Sequence, residues 1–208
     1  MSRLLPDDQV ADAYRQTATS LFDLLSQTPE SSASLIVPAC PDWTVQQTVS
    51  HLIGVPEDLL EGRMEGITSD TWTDAQVQRH AGESLAELRS ALEATISSFD
   101  AILPGIPHPS NSQLVMDALA HELDLREALG LECDESSLAL SVAKAWLIDM
   151  IERRGPSAIA GIESAGCSDL DIVRALTGRR SCAQMDNLGL PGTQIVAALA
   201  GTPLKPPT

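Results

Sequence analysis

Asp117 and His121 stand four residues apart in the stretch MDALAHELDLREALG, residues 116–130. At about 100° per residue, Leu114, Asp117, His121, Leu125 and Ala128 fall within about 80° of one another on a helix. A carboxylate and an imidazole are therefore expected inside an apolar stripe, with Asp124 beside them and Glu122, Arg126 and Glu127 turned away. A carboxylate in such a place has to be neutralised, hydrogen-bonded or coordinated, because desolvating a bare charge costs too much. The i, i+4 spacing also brings the two side chains to one face. From there an oxygen and an imidazole nitrogen can reach the same divalent ion, zinc first and nickel second. The competing account is a hydrogen-bonded Asp117–His121 pair that staples the core, and spacing alone leaves both open.

A third ligand has to come from elsewhere, and the chain has four histidines. His108 lies in a proline-rich loop and His80 early in a helix expected to be exposed, which leaves His51. Its own helix carries a stripe of Val45, Val49, Leu52 and Ile53, and His51 falls about 150° from the centre of that stripe. It reaches an interior only if this helix is covered on more than one side. HELDL begins like the zinc-protease motif HExxH, but Leu125 occupies the second histidine position. No GxSxG, phosphate-cradling glycine loop or Cys/His nucleophile pattern is present. Cys40, Cys133, Cys167 and Cys182 are widely spaced, which favours reduced thiols over a zinc knot; Cys40 is expected to be structural.

These residues need helices to hold them. A first helix is predicted over about 7–28, with Val10, Tyr14, Ala18, Leu21, Leu24 and Leu25 facing inward. A polar connection follows. Thr44 and Gln47 form a capping-box pattern that starts the second helix, with Trp43 as a packing anchor before it, and Gly54 and Pro56 mark its end or a kink. A third helix is expected over about 73–100, carrying Val77, Leu85, Leu88, Leu92 and Ile96. The segment ILPGIPHPSNS breaks the chain, and Ser110 or Ser112 caps a fourth helix running to Gly130. Four such helices make a four-helix bundle over residues 1–130. Residues 131–208 read as a helical C-terminal extension packed on it, with helices in SLALSVAKAWLIDMIERRG, CSDLDIVRALTGRRS and GTQIVAALAG and a frayed end at TPLKPPT. Arg153 and Arg154 before Gly155 suit a helix C-terminus, as does the placement of Arg179 and Arg180.

Composition sets the outer limits. Hydrophobic residues make up 43 % of the 208 and aromatics 3 %, so Ala, Leu, Val and Ile must fill the core, as in an all-α protein. The net charge of -16 and a pI near 4.4 repel phosphate backbones and anionic membranes. No segment approaches the roughly 20 apolar residues of a membrane span or the pattern of a signal peptide. A cytoplasmic monomer or homodimer with no nucleic-acid or membrane partner is the expectation.

Two blocks, CPDWTVQQTVSHL and DALAHELDLREALG, resemble signatures of the mycothiol-dependent maleylpyruvate isomerase family within the DinB/YfiT-like superfamily. DIVRALTGRRSCAQM is similar to a segment toward the C-terminus of its members. The resemblance covers about 20–130 well and the remainder loosely. It implies a DinB-like four-helix bundle and a metal held by His51, Asp117 and His121. A family relative has glutamate where this chain has Asp117, one methylene shorter. By the same resemblance the metal would activate mycothiol or a similar low-molecular-weight thiol for S-transfer to, or isomerisation of, a small electrophile. Asp124 would accept a hydrogen bond from a ligand histidine, and Arg79 is a weaker candidate for meeting an anionic thiol or substrate. Two alternatives stand beside this: a non-enzymatic metal- or ligand-binding module, and a structural helical protein without a metal.

Overall fold

The computed structural model describes residues 3–207. Helix α1 spans Asp7–Gln27. After a 3-10 turn comes a small antiparallel hairpin, β1 (Ile36–Val37) and β2 (Cys40–Thr44). Helix α2 (Val45–Glu61) follows directly, then α3 (Asp70–Arg79), α4 (Leu85–Phe99) and α5 (Ser110–Leu129). The remainder of the chain forms α6 (Leu138–Arg154), α7 (Ile159–Ser164), α8 (Asp169–Leu176), α9 (Cys182–Asn187) and α10 (Gly192–Leu199). The protein is all-α apart from the hairpin, and no helix among the described residues is long and apolar enough to cross a membrane.

The start of α2 follows its sequence closely. Thr44 Oγ1 accepts from the Gln47 backbone N–H and Gln47 Oε1 accepts from the Thr44 N–H at 2.9 Å, closing the capping box. Gly54 and Pro56 do not end the helix; it runs through both to Glu61 and stops at Gly62, whose φ of 69° is left-handed. The predicted third helix is two helices. Ser69 caps α3, the chain turns at Gly82, and Ser84 with Glu87 forms a second capping box that starts α4. The S-x-x-E signal at 84–87 was present in the sequence and lay inside the continuous helix expected there.

The chain forms two compact units. One comprises Tyr14–Pro107 and His121–Cys133; the other comprises the stretch through Ala13, His108–Ala120, and the chain from Asp134 on. In the first unit Tyr14, Leu21 and Leu25 of α1, Val49 and Ile53 of α2, Leu88, Leu92 and Phe99 of α4, and Leu123 and Leu125 of α5 are buried. The Tyr14 and Phe99 rings meet at 5.2 Å, and Ser20 of α1 donates to Glu122 of α5. So α1, α2, α4 and α5 share one core in this unit, as a four-helix bundle does. Each fully buried leucine or phenylalanine contributes about 1.5–3 kcal/mol.

In the second unit α6 buries Trp146, Leu147 and Ile151, α8 buries Ile172, Val173 and Leu176, and α10 buries Ile195 and Leu199. Ser137 and Ser168 cap α6 and α8. The short helices α7 and α9 were not expected. The tail is not simply frayed: Leu204 and Lys205 pass against Gly178, where a Cβ would stand 2.8 Å from the Leu204 carbonyl carbon.

Candidate metal centre

His51 and His121 come together inside the first unit. Their ring centroids lie 4.9 Å apart, nearly perpendicular. Trp43, carried by β2, lies against both, 5.1 Å from His51 and 5.7 Å from His121. Both histidines are buried, at 4 % and 8 % exposure. The 150° offset of His51 is resolved by how α2 is covered. From Thr48 to Pro56 every residue of α2 is buried, with α3 and α4 packed on it. A helix covered on several sides can bury a residue far from its apolar stripe.

Asp117 stands one turn before His121 on the continuous helix α5. The ligand atoms that His51, Asp117 and His121 can offer all lie within 4.8 Å of one another. Asp117 itself is half-buried, and so is Leu114, which was expected in the core. A second group, Cys40, His121 and Asp124, meets the same distance criterion and shares His121. Asp124 is fully buried, with its Oδ2 3.3 Å from His121 Nδ1 and 3.7 Å from Cys40 Sγ.

On the other side of the pair, His51 Nδ1 lies 2.8 Å from Gln76 Oε1. Gln76 Nε2 donates to Asp58 Oδ2 at 2.7 Å. Arg63 donates to Asp58 Oδ1 at 2.6 Å, and Arg79 Nη2 forms an ion pair with the same oxygen at 2.8 Å. Arg79 also donates to the Gly54 carbonyl at 3.1 Å and to Glu57 at 3.3 Å. The guanidinium expected to meet an anionic ligand is thus engaged by this chain's own carboxylates.

The remaining histidines have other surroundings. His80 is buried rather than on an exposed helix, between Glu83 at 3.1 Å and Glu57 at 3.3 Å. His108 pairs with Asp7 at 2.9 Å. Glu122, expected to point away, is buried and accepts from Ser20 at 2.5 Å and from Arg126 at 2.9 Å, because α5 is packed on more than one face. A groove of about 1060 Å³ beside it, lined by Arg15, Ser20, Asp23, Arg126 and Leu131 among others, includes none of the three candidate ligands.

The sequence reading missed Gln76 and Asp58, and it took Trp43 and Cys40 as purely structural. Gln76 lies in a polar helix with no periodicity to mark an inward face, so nothing local singles it out. Trp43 and Cys40 could have been suspected from CPDW standing just before the His51 helix, but the hairpin that aims them was not foreseen.

The family model for the mycothiol maleylpyruvate isomerase N-terminal domain matches residues 14–126, more than half of the chain. The chain belongs to this family. The match takes in the hairpin, α2, α3 and α4, and it includes His51, Asp117 and His121. Comparisons with curated proteins and with solved structures gave no match.

Proposed function

We propose that this protein is a divalent-metal-dependent enzyme that activates a low-molecular-weight thiol of the mycothiol type for S-transfer to, or isomerisation of, a small electrophile. The observation that carries the reading is the convergence of two imidazoles and a carboxylate within 4.8 Å in a largely buried setting. That donor set suits zinc, with nickel as the second choice, and three protein ligands leave a position for an exogenous group. Gln76 at His51 Nδ1 is the kind of polar partner that a ligand histidine ordinarily has behind it, and the Asp124 carboxylate lies 3.3 Å from His121 Nδ1, close by but outside hydrogen-bond geometry.

A bound divalent ion would lower the pKa of a coordinated thiol so that it is held as thiolate at neutral pH. The chain's own residues do the rest. His51 and His121 present ring nitrogens from facing helices, and Asp117 adds a charged oxygen from the adjacent turn. Trp43 covers one side of both rings and limits water there. The net charge of -16 leaves recognition of an anionic electrophile to cations near the site, and Arg79 and Arg63, held at Asp58, would be available only by exchanging that partner.

The test is elemental analysis of protein purified without a metal-affinity tag, followed by calorimetry with mycothiol on the zinc-loaded protein. About one zinc or nickel per chain is expected, falling to a small fraction in His51→Ala, Asp117→Ala and His121→Ala. Mycothiol should then bind the loaded protein and not the Asp117→Ala variant. Metal-free wild type, or undiminished metal in the three variants, would overturn the metal site. Metal without mycothiol binding would favour the non-enzymatic module.

A further inference from the structure

The hydrogen-bond chain behind His51 has a direction that can be read from its far end. Arg63 and Arg79 are donors only. Between them the fully buried Asp58 is a carboxylate whose Oδ1 accepts from Arg63 and pairs with Arg79, and whose Oδ2 accepts from Gln76. A carboxylate in that position takes the amide nitrogen of Gln76, not its oxygen. This fixes which way the Gln76 amide faces, since the fully buried side chain has its other end on His51. The Gln76 oxygen then accepts, and His51 Nδ1 has to be the donor. The proton of a neutral His51 ring is on Nδ1, and the lone pair is on Nε2.

We infer that Gln76 and Asp58, anchored by Arg63 and Arg79, are positioning residues that lock His51 in its Nδ1–H tautomer with Nε2 presented as a metal-ligating nitrogen. In water the Nε2–H tautomer is ordinarily preferred, so the relay imposes the form that the candidate centre needs. The proposal deepens the metal reading above and rests on it for its use. The tautomer itself is a property of the metal-free protein.

Three features of the fold serve this arrangement. Gly54 lets α3 approach α2 so closely that a Cβ there would stand 2.7 Å from Gln76 Cγ. A glycine inside a helix costs about 1 kcal/mol relative to alanine, so its place opposite Gln76 needs a reason, and the close approach supplies one. The left-handed Gly62 turns the chain so that the Arg63 N–H returns to the Asp58 carbonyl at 2.8 Å and its guanidinium to the Asp58 carboxylate. Trp72, on α3, donates from its indole to the Arg63 carbonyl at 2.9 Å, tying the turn to the helix that carries Gln76.

The experiment is long-range 1H–15N NMR of the histidine rings in metal-free, 15N-labelled protein, at a pH where the rings are neutral, with His51→Gln to assign the signals. The wild type should show His51 with a protonated, pyrrole-like Nδ1 and a pyridine-like Nε2. In Gln76→Leu and in Asp58→Asn the signals should move toward the Nε2–H tautomer, and zinc affinity measured by chelator competition should fall about 10–100-fold. An Nε2–H ring in the wild type overturns the inference without any variant being made. So does a full Nδ1–H tautomer persisting in a folded Gln76→Leu protein. If the wild type shows the Nδ1–H ring but binds no zinc or nickel, the metal reading fails and the relay stands as a structural device.

Discussion

Gly54→Ala separates two opposite expectations. At an open position inside a helix, replacing glycine by alanine stabilises by about 1 kcal/mol. At Gly54 the new methyl would stand 2.7 Å from Gln76 Cγ and 3.2 Å from Arg79 Nη2, and closer still to Gln76 Cβ. Gln76 Cβ is bonded to the α3 backbone and cannot swing aside, so the helix itself has to move. Overpacking of this kind costs about 1–3 kcal/mol. Loosening the Arg79 hydrogen bond to the Gly54 carbonyl, 3.1 Å long, costs about 1 kcal/mol more. After the propensity gain the net expectation is a loss of about 1–3 kcal/mol. For a chain of this size that lowers Tm by roughly 2–12 °C. Urea unfolding by linear extrapolation measures it, with an unchanged m-value showing that the folded and unfolded states still differ by the same surface. A variant more stable than wild type by about 1 kcal/mol would show that α3 does not press on α2 at this point, and the account of how Gln76 is brought to His51 would fail with it.

Arg126→Ala should cost about 3 kcal/mol, because it leaves the buried Glu122 with Ser20 alone; that is the low end for breaking a buried pair, since Arg126 is partly solvated, and chemical denaturation that found less than about 0.5 kcal/mol would contradict it. The Glu87 carboxyl is held below the usual carboxylate range by the Ser84 backbone N–H first and the Ser84 hydroxyl second. Its stabilisation is therefore present above the ordinary glutamate range and lost as pH falls through the lowered value, so Glu87→Gln should lose less stability on acidification than wild type in paired unfolding titrations. Burial, and then the nearby Asp171, push the Cys167 thiol above its ordinary value; the pH curve for iodoacetamide labelling of Cys167 in the folded protein should lie to the alkaline side of the curve in urea.

Much of the bundle was legible because its signals are local. The inward set of α1 is buried as its spacing indicates, the Thr44–Gln47 pattern closes as a capping box, and Gly130 ends α5 with a left-handed turn. The errors were also local in origin. Gly54 and Pro56 look like helix breakers, yet packing on several sides of α2 repays the lost propensity and hydrogen bond. Residues 73–100 carry apolar positions at helical spacing on both sides of Gly82, and periodicity could not show that the frame breaks there. Leu114 is only half-buried and Glu122 is buried, against the wheel in both cases, because a helix buried around most of its circumference has no single inward face.

For the candidate centre, the sequence by itself determined that Asp117 and His121 lie on one side of one helix, since the 3.6-residue repeat depends on nothing outside that helix. It also determined the start of the helix that bears His51. Only the tertiary structure decided that His51 faces His121, because that depends on α3 and α4 covering α2 on the sides its apolar stripe leaves open. The same holds for Trp43 against both rings and for the run from His51 through Gln76 and Asp58 to two arginines. Those contacts join residues 5 to 78 positions apart in the chain, and no periodicity records them.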